Sequence, residues 1–250
     1  MTRFHFSLVA ALLLAMAAWA LDNWILLSAI VVAFVILTGF GVALPQMKFF
    51  GPFVCRASTP QRRVALTFDD GPDARSTPAL LDLLREARVP ATFFCVGRRV
   101  EESRDLSARI AAEGHLLGNH SYSHSNATNF FSVARLTAEL AQTQTIIQEA
   151  TGTSPRWYRP PIGLSNPRTF RAAHSLGLTV VGWSAGGLDT VIKDPERIVR
   201  RIVKRLQPGA IILLHDGNIS AERLVTTVKL LLDSLRKLDY QVVRLDQLLA

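Results

Sequence analysis

The chain has 250 residues, enough for a sizeable core, and 28 Lys and Arg against 20 Asp and Glu give it a formal net charge of +8. Its two cysteines, Cys55 and Cys95, supply neither a disulfide framework nor a metal-ligand spacing. The basic balance does not make it a nucleic-acid binder, because no zinc-finger, helix-turn-helix or aromatic-stacking pattern accompanies it.

In chain order, the first 45 residues hold one basic side chain (Arg3), one acidic (Asp22) and otherwise mostly Ala, Leu, Val, Ile and Phe. Two apolar runs, Phe6–Leu21 and Trp24–Leu44, are broken only by Asp22-Asn23. The second is long enough to cross a bilayer, which needs about 20 apolar residues. The first, read alone, has the look of a signal peptide with Ala18-Trp19-Ala20 near its end. The uncharged run directly behind it favours a transmembrane helical hairpin over that reading and over a buried soluble helix pair. Basic residues flank the outer ends (Arg3; then Lys48, Arg56, Arg62, Arg63), so the positive-inside rule puts both ends, and the domain attached to the second, on the cytoplasmic side of an inner-type membrane.

The expected organisation is therefore an anchor over 1–45, a linker over 46–63 and a catalytic domain over 64–250. Val64–Phe68 reads as a strand, and Ser76-Thr77-Pro78 opens a helix through Arg88. Ala91–Val96 is a strand with Cys95 as a small core residue. Val100–Glu113 is a helix closed by Gly114, and His115–Gly118 a strand. Helices follow at Val133–Ala150, Asn166–Ser175, Pro195–Leu206 and Ala221–Leu238. The remaining strands are Trp157–Arg159, Leu178–Trp183, Ala210–Leu214 and Gln241–Leu245. Seven strands with intervening helices predict a parallel sheet and a closed or nearly closed β/α barrel, whose chemistry collects at the C-terminal strand ends.

Polar groups gather at those ends. Asp69-Asp70-Gly71-Pro72 follows the first strand, where adjacent carboxylates need a cation or donor to separate their roles. His120 and His124, four apart, would face one side of a helical turn and reach one metal; with Asp70 they make two nitrogens and one oxygen, leaving room for water and substrate as a catalytic zinc site requires. Arg159-Pro160-Pro161-Ile162-Gly163 fixes a backbone that would aim the Ile162 N–H at an oxyanion. Leu213-Leu214-His215 delivers an imidazole suited to a general acid. Singly, these read as blandly as a turn, a surface pair, a Pro-rich loop and a core histidine; together, in strand-end order, they read as one site.

Thr67-Phe68-Asp69-Asp70-Gly71-Pro72, His120-Ser121-Tyr122-Ser123-His124, Arg159-Pro160-Pro161 and Leu213-Leu214-His215 resemble the motifs of the polysaccharide deacetylase family (carbohydrate esterase family 4, the NodB homology domain) from Val64 to the C-terminus. The resemblance implies a distorted (β/α)7 barrel and a divalent metal, zinc above others, on Asp70, His120 and His124. It implies Asp69 as general base and Arg159 as the arginine orienting it. The oxyanion would rest at the N–H after Pro160-Pro161, and His215 would be the acid that protonates the leaving amine. Leu213 joins Pro160, Pro161 and Ile162 on the substrate side. The family's Asp-x-x-Asp-Trp motif survives here only as Asp189 in Gly186-Gly187-Leu188-Asp189-Thr190, left to tune His215 or pair with Arg159, and Ile162 stands where an aromatic is common. The expected substrate is an N-acylated amino sugar, polymeric or lipid-linked. The basic helix Asp194–Leu206 is either a solvated outer face or a contact for anionic headgroups. The rivals are an outward-facing deacetylase of a peptidoglycan- or chitin-like polymer and a non-catalytic glycan-binding membrane protein.

Overall fold

A computed structural model describes residues 1–250. Helices α1 (Arg3–Ala20) and α2 (Trp24–Ala43) form an antiparallel pair, the second capped by Asn23, whose side chain accepts the Leu26 N–H. Ala18 and Gly41 are their only buried residues, so the apolar side chains face outward and the buried soluble pair does not describe them. The open ends of the hairpin meet the rest of the chain: Arg3 donates to the Met47 carbonyl, Phe4 N–H to Phe49, and Ser165 N–H to Val42.

The remainder is an eight-stranded parallel sheet curved into a distorted barrel and wrapped by helices. Its strands are β1 (Arg63–Asp69), β2 (Thr92–Cys95), β3 (Leu116–Asn119), β4 (Trp157–Tyr158), β5 (Thr179–Val180), β6 (Ala185–Gly186), β7 (Ile211–His215) and β8 (Gln241–Val243). The helices after the hairpin are α3 (Thr77–Ala87), α4 (Gly97–Glu102), α5 (Arg104–Ala112), α6 (Val133–Thr151), α7 (Pro167–Ser175), α8 (Pro195–Val203), α9 (Ala221–Lys237) and α10 (Leu245–Leu249). The order across the sheet is β5-β4-β3-β2-β1-β7-β6, with β8 on the lower part of β1.

Side chains alternate along a strand, and β1 uses both faces. Val64, Leu66 and Phe68 enter the main core between sheet and helices, where Phe68 stacks on Phe93. Thr67 and Asp69 point the other way, into the barrel.

Three expectations change in detail. The run Val100–Glu113 is two helices, because Ser103 leaves helical backbone (φ −137°, ψ 53°) between α4 and α5. The run Leu178–Trp183 is not one strand, because β5 pairs with β4 while the chain beyond Trp183 pairs with β7 as β6. The sheet itself does not close between β5 and β6. Residues 53–57 fill that gap: Val54 bridges Val181 in parallel, Arg56 bridges Ala210 antiparallel, and Phe53, Cys55 and Ala57 are buried. Part of the segment between hairpin and β1 is thus a stave of the barrel wall.

Candidate active site

Every strand-end residue singled out in the sequence faces one region at the C-terminal mouth of the barrel. Asp69 ends β1 and lies opposite His215, the end of β7, in the strand register. Asp70 follows with φ of +73°, a left-handed turn that swings its carboxylate toward the same side as Asp69. Its Oδ1 lies 3.3 Å from His120 Nε2 and 3.0 Å from His124 Nε2.

The His120–His124 segment is not a helical turn. Ser121 and His124 both have positive φ, and the loop is held by Glu139 of α6, which accepts the N–H groups of Tyr122 and Ser123 and the Ser123 hydroxyl. The two imidazoles converge because Glu139 folds the loop back, not because four residues make a turn. Glu139 is a positioning residue that the sequence gives no local sign of, since it lies 16 residues from Ser123.

The donor chemistry fits a divalent metal. His120 Nδ1 donates to the Arg159 carbonyl at 2.7 Å, so its Nε2 carries a lone pair toward the Asp70 oxygen. Two imidazole nitrogens and a carboxylate oxygen, all within 4.8 Å of one another, then face each other as acceptors and call for a cation. When the imidazoles are instead protonated at Nε2, burial still raises the Asp70 carboxyl, but hydrogen bonds from His120 and His124 outweigh it and hold it far below the usual carboxylate range. Burial lowers His124, and the hydrogen bond and charge of Asp70 carry it above its ordinary value.

Around this cluster the supporting groups are buried. Arg159, fully buried, donates through Nη1 to Asp69 Oδ1 at 2.6 Å and to the Thr67 hydroxyl at 2.8 Å, and through Nη2 to the Gly182 carbonyl. Its guanidinium lies 4.0 Å over the Phe94 ring. The other oxygen of Asp69 is 3.9 Å from His120 Nε2 and faces the cluster. Asp189 resolves its two alternatives in favour of His215: its Oδ2 accepts the His215 main-chain N–H at 2.8 Å and its Oδ1 accepts Nδ1–H at 3.0 Å. Burial lowers the His215 imidazole, yet the Asp189 hydrogen bond and the surrounding carboxylates push it up to about 9.

The substrate side is rimmed by Pro160, Pro161 and Ile162. Ile162 has φ of +60°, a strained conformation for a β-branched residue, and its side chain is exposed. Leu213 lies two residues before His215 on β7 and so shares its inward face. A wall that sequence reasoning missed is Trp183, whose ring fills the space where a side chain on Gly163 would stand. Phe130, Leu188 and Val191 add exposed apolar surface on the loops that follow β3 and β6.

Comparison with known proteins agrees with this fold. The family model described as Polysaccharide deacetylase matches residues 56–181. A peptidoglycan-N-acetylglucosamine deacetylase of Bacillus cereus is 35% identical over 191 residues, covering 76% of this chain and 89% of that protein. Among solved structures, the Bc1960 peptidoglycan N-acetylglucosamine deacetylase superposes with a TM-score of 0.75 at 29% identity, covering 79% of this chain and 92% of that one. A carbohydrate esterase family 4 pseudoenzyme from Bacillus anthracis gives 0.74 at 26%, covering 80% and 69%.

Proposed function

Because the chain belongs to the polysaccharide deacetylase family and is a hydrolase of that family, we propose that it removes the N-acyl group, acetyl foremost, from an amino sugar of a cell-envelope glycan or its lipid-linked precursor. The observation that carries this reading is the convergence of Asp69, Asp70, His120, His124 and His215 at one barrel mouth, each with a partner that fixes its orientation. The presence of all five sets it apart from a retired, non-catalytic barrel.

Asp70, His120 and His124 would hold the metal, zinc being the best match to two nitrogens and one oxygen. When bound, it supplies Lewis-acid polarisation of the amide carbonyl and a more acidic water. Asp69, held on one oxygen by Arg159, takes the proton of the attacking water on the other. As the new C–O bond forms, the Ile162 N–H stabilises the developing oxyanion. His215 then gives its Nε2 proton to the departing nitrogen as the C–N bond breaks, leaving a free amino sugar and a carboxylate.

The hairpin is read as a membrane anchor and the barrel as cytoplasmic, on the basic residues around its barrel-side ends. The exposed Phe130, Ile162, Leu188 and Val191 at the mouth, and the absence of the family tryptophan at Thr190, favour a lipid-linked sugar over a polymer. The names of the Bacillus relatives favour the second reading, an outward-facing peptidoglycan deacetylase. The full chain, stripped of metal and then given zinc, is tested for acyl release from an N-acetylglucosamine oligomer and from a membrane lipid extract. Zinc-dependent release is expected, largest from the lipid extract. Release from the oligomer alone would move the assignment to a polymer, and zinc binding without release from either would rule out both proposed substrates.

Asp189→Asn is expected to shift the alkaline limb of the pH–rate profile to lower pH. The acid works only when His215 is protonated, so wild-type activity falls as pH rises through a value no higher than about 9, a cation on Asp70 opposing the imidazolium. Asparagine offers one acceptor to two donors, the His215 N–H and Nδ1–H, while burial still disfavours the charge. The imidazolium is lost earlier and activity at pH 8 drops. An unmoved limb would take His215 out of the acid role.

A further inference from the structure

Helix α8 buries Ile198, Val199 and Ile202 against the barrel, which leaves its basic residues outside. Cations near a helix C-terminus are favoured by the dipole, and Arg200 is paired with Glu196. On that evidence alone the helix is a solvated outer face. The structure adds a second wall. Lys48 and Arg56, from the chain that leaves α2, converge with Arg201, Lys204 and Arg205 on one open groove of about 810 Å³. No carboxylate lines it, and none of these five cations forms a salt bridge. Arg56 reaches only the neutral Gln207, and the Arg201 Nε is buried without a partner.

Five like charges brought together from segments some 150 residues apart repel one another unless an anion sits among them. Neutral residues complete the lining, among them Ala43, Leu44 and Pro45, where the chain leaves the end of α2. The same cavity therefore has an apolar helix end on one side and unpaired cations on the other, which is the polarity profile of the boundary between acyl chains and headgroups. Pro45 packs against Gly182, whose carbonyl takes the Arg159 guanidinium, so the groove also adjoins the frame that orients Asp69.

We propose that this groove is a binding site for the phosphate headgroup of an anionic membrane lipid, with Lys48, Arg56, Arg201, Lys204 and Arg205 as its donors. The inference rests on the reading of α1 and α2 as a membrane anchor; it does not depend on which sugar is hydrolysed. An occupied groove ties the barrel to the bilayer surface at a second point and fixes its tilt relative to the hairpin.

Native mass spectrometry of the full chain in detergent tests it by titration with phosphatidylglycerol and with phosphatidylcholine. Phosphatidylglycerol adducts are expected at roughly tenfold lower concentration, the effect of one or two cations at an anionic surface. Lys204→Gln with Arg205→Gln, and separately Lys48→Gln with Arg56→Gln, should remove that preference. All four side chains are exposed, so folding is spared. Arg236→Gln with Lys237→Gln, on α9, should keep it. Equal retention of the two lipids, or a preference that survives both groove variants, would overturn the site. Full displacement by inorganic phosphate would overturn the lipid as its source. Release of the chain from membranes by an alkaline wash would instead overturn the anchor beneath it. No readout here needs turnover, so a catalytic failure is seen separately.

Discussion

Asp69→Asn is expected to lower turnover by about 10²- to 10⁴-fold, the usual contribution of a positioned general base, while metal stays bound. Asparagine keeps the shape of the side chain and an acceptor for Arg159, 2.6 Å away in the native protein. What it loses is the capacity to take a proton from water. The proposed ligands Asp70, His120 and His124 are untouched, and the His120 tautomer is set by the main-chain carbonyl of Arg159, which the substitution leaves in place. The measurement is kcat on the responding substrate beside metal content by elemental analysis. Loss of both together would mean that Asp69 is a structural part of the metal site. Unchanged turnover at full metal content would remove it from the base role.

The strand ends were readable because an apolar strand that terminates in ionisable residues has few bland explanations. Val64–Phe68 leading into Asp69-Asp70, and Ile211–Leu214 leading into His215, fall where β1 and β7 end. Cys95, expected in the core, is fully buried there. Other features had no local signature. The stave at 53–57 is the exception: buried Phe53, Cys55 and Ala57 alternate with the more exposed Val54 and Arg56, a strand pattern that lies inside the segment read as a linker. Gly182 and Trp183 separate β5 from β6, and a side chain at 182 would run into Cys55 and Pro45, a close approach of segments more than 120 residues apart. The His120–His124 spacing suggested a helix turn, but Glu139 and two left-handed residues achieve the convergence instead. Spacing reported correctly that the rings meet and incorrectly how.

The same limit applies to charge. Composition shows an excess of 8 positive charges without saying where they lie. Inside the barrel Arg159 is matched by Asp69, and His215 by Asp189, so the catalytic charges are internally compensated. The excess stands outside, where the Lys48–Arg205 groove lacks any counter-charge. Only the folded chain brings Arg56 against Gln207 and makes that difference visible.

The compensated pair leads to the second large effect. Arg159→Leu is expected to destabilise the barrel by roughly 3–5 kcal/mol, the penalty for leaving one member of a buried ion pair without its partner. For a domain of this size about 1 kcal/mol corresponds to some 2–4 °C in Tm, so a fall on the order of 10 °C is expected in a thermal melt. Three losses combine: the 2.6 Å pair with Asp69, the hydrogen bonds to Thr67 and the Gly182 carbonyl, and the stacking on Phe94. Metal affinity should change little, because His120 leans on the backbone at 159 and not on the guanidinium. The double variant Asp69→Asn/Arg159→Leu separates charge from packing. If the stranded carboxylate causes most of the loss, the double variant melts above Arg159→Leu alone, with a coupling of about 0.5–3 kcal/mol. If the two effects add, the guanidinium serves as a packed strut between β4 and Gly182, and Asp69 keeps its orientation by other means.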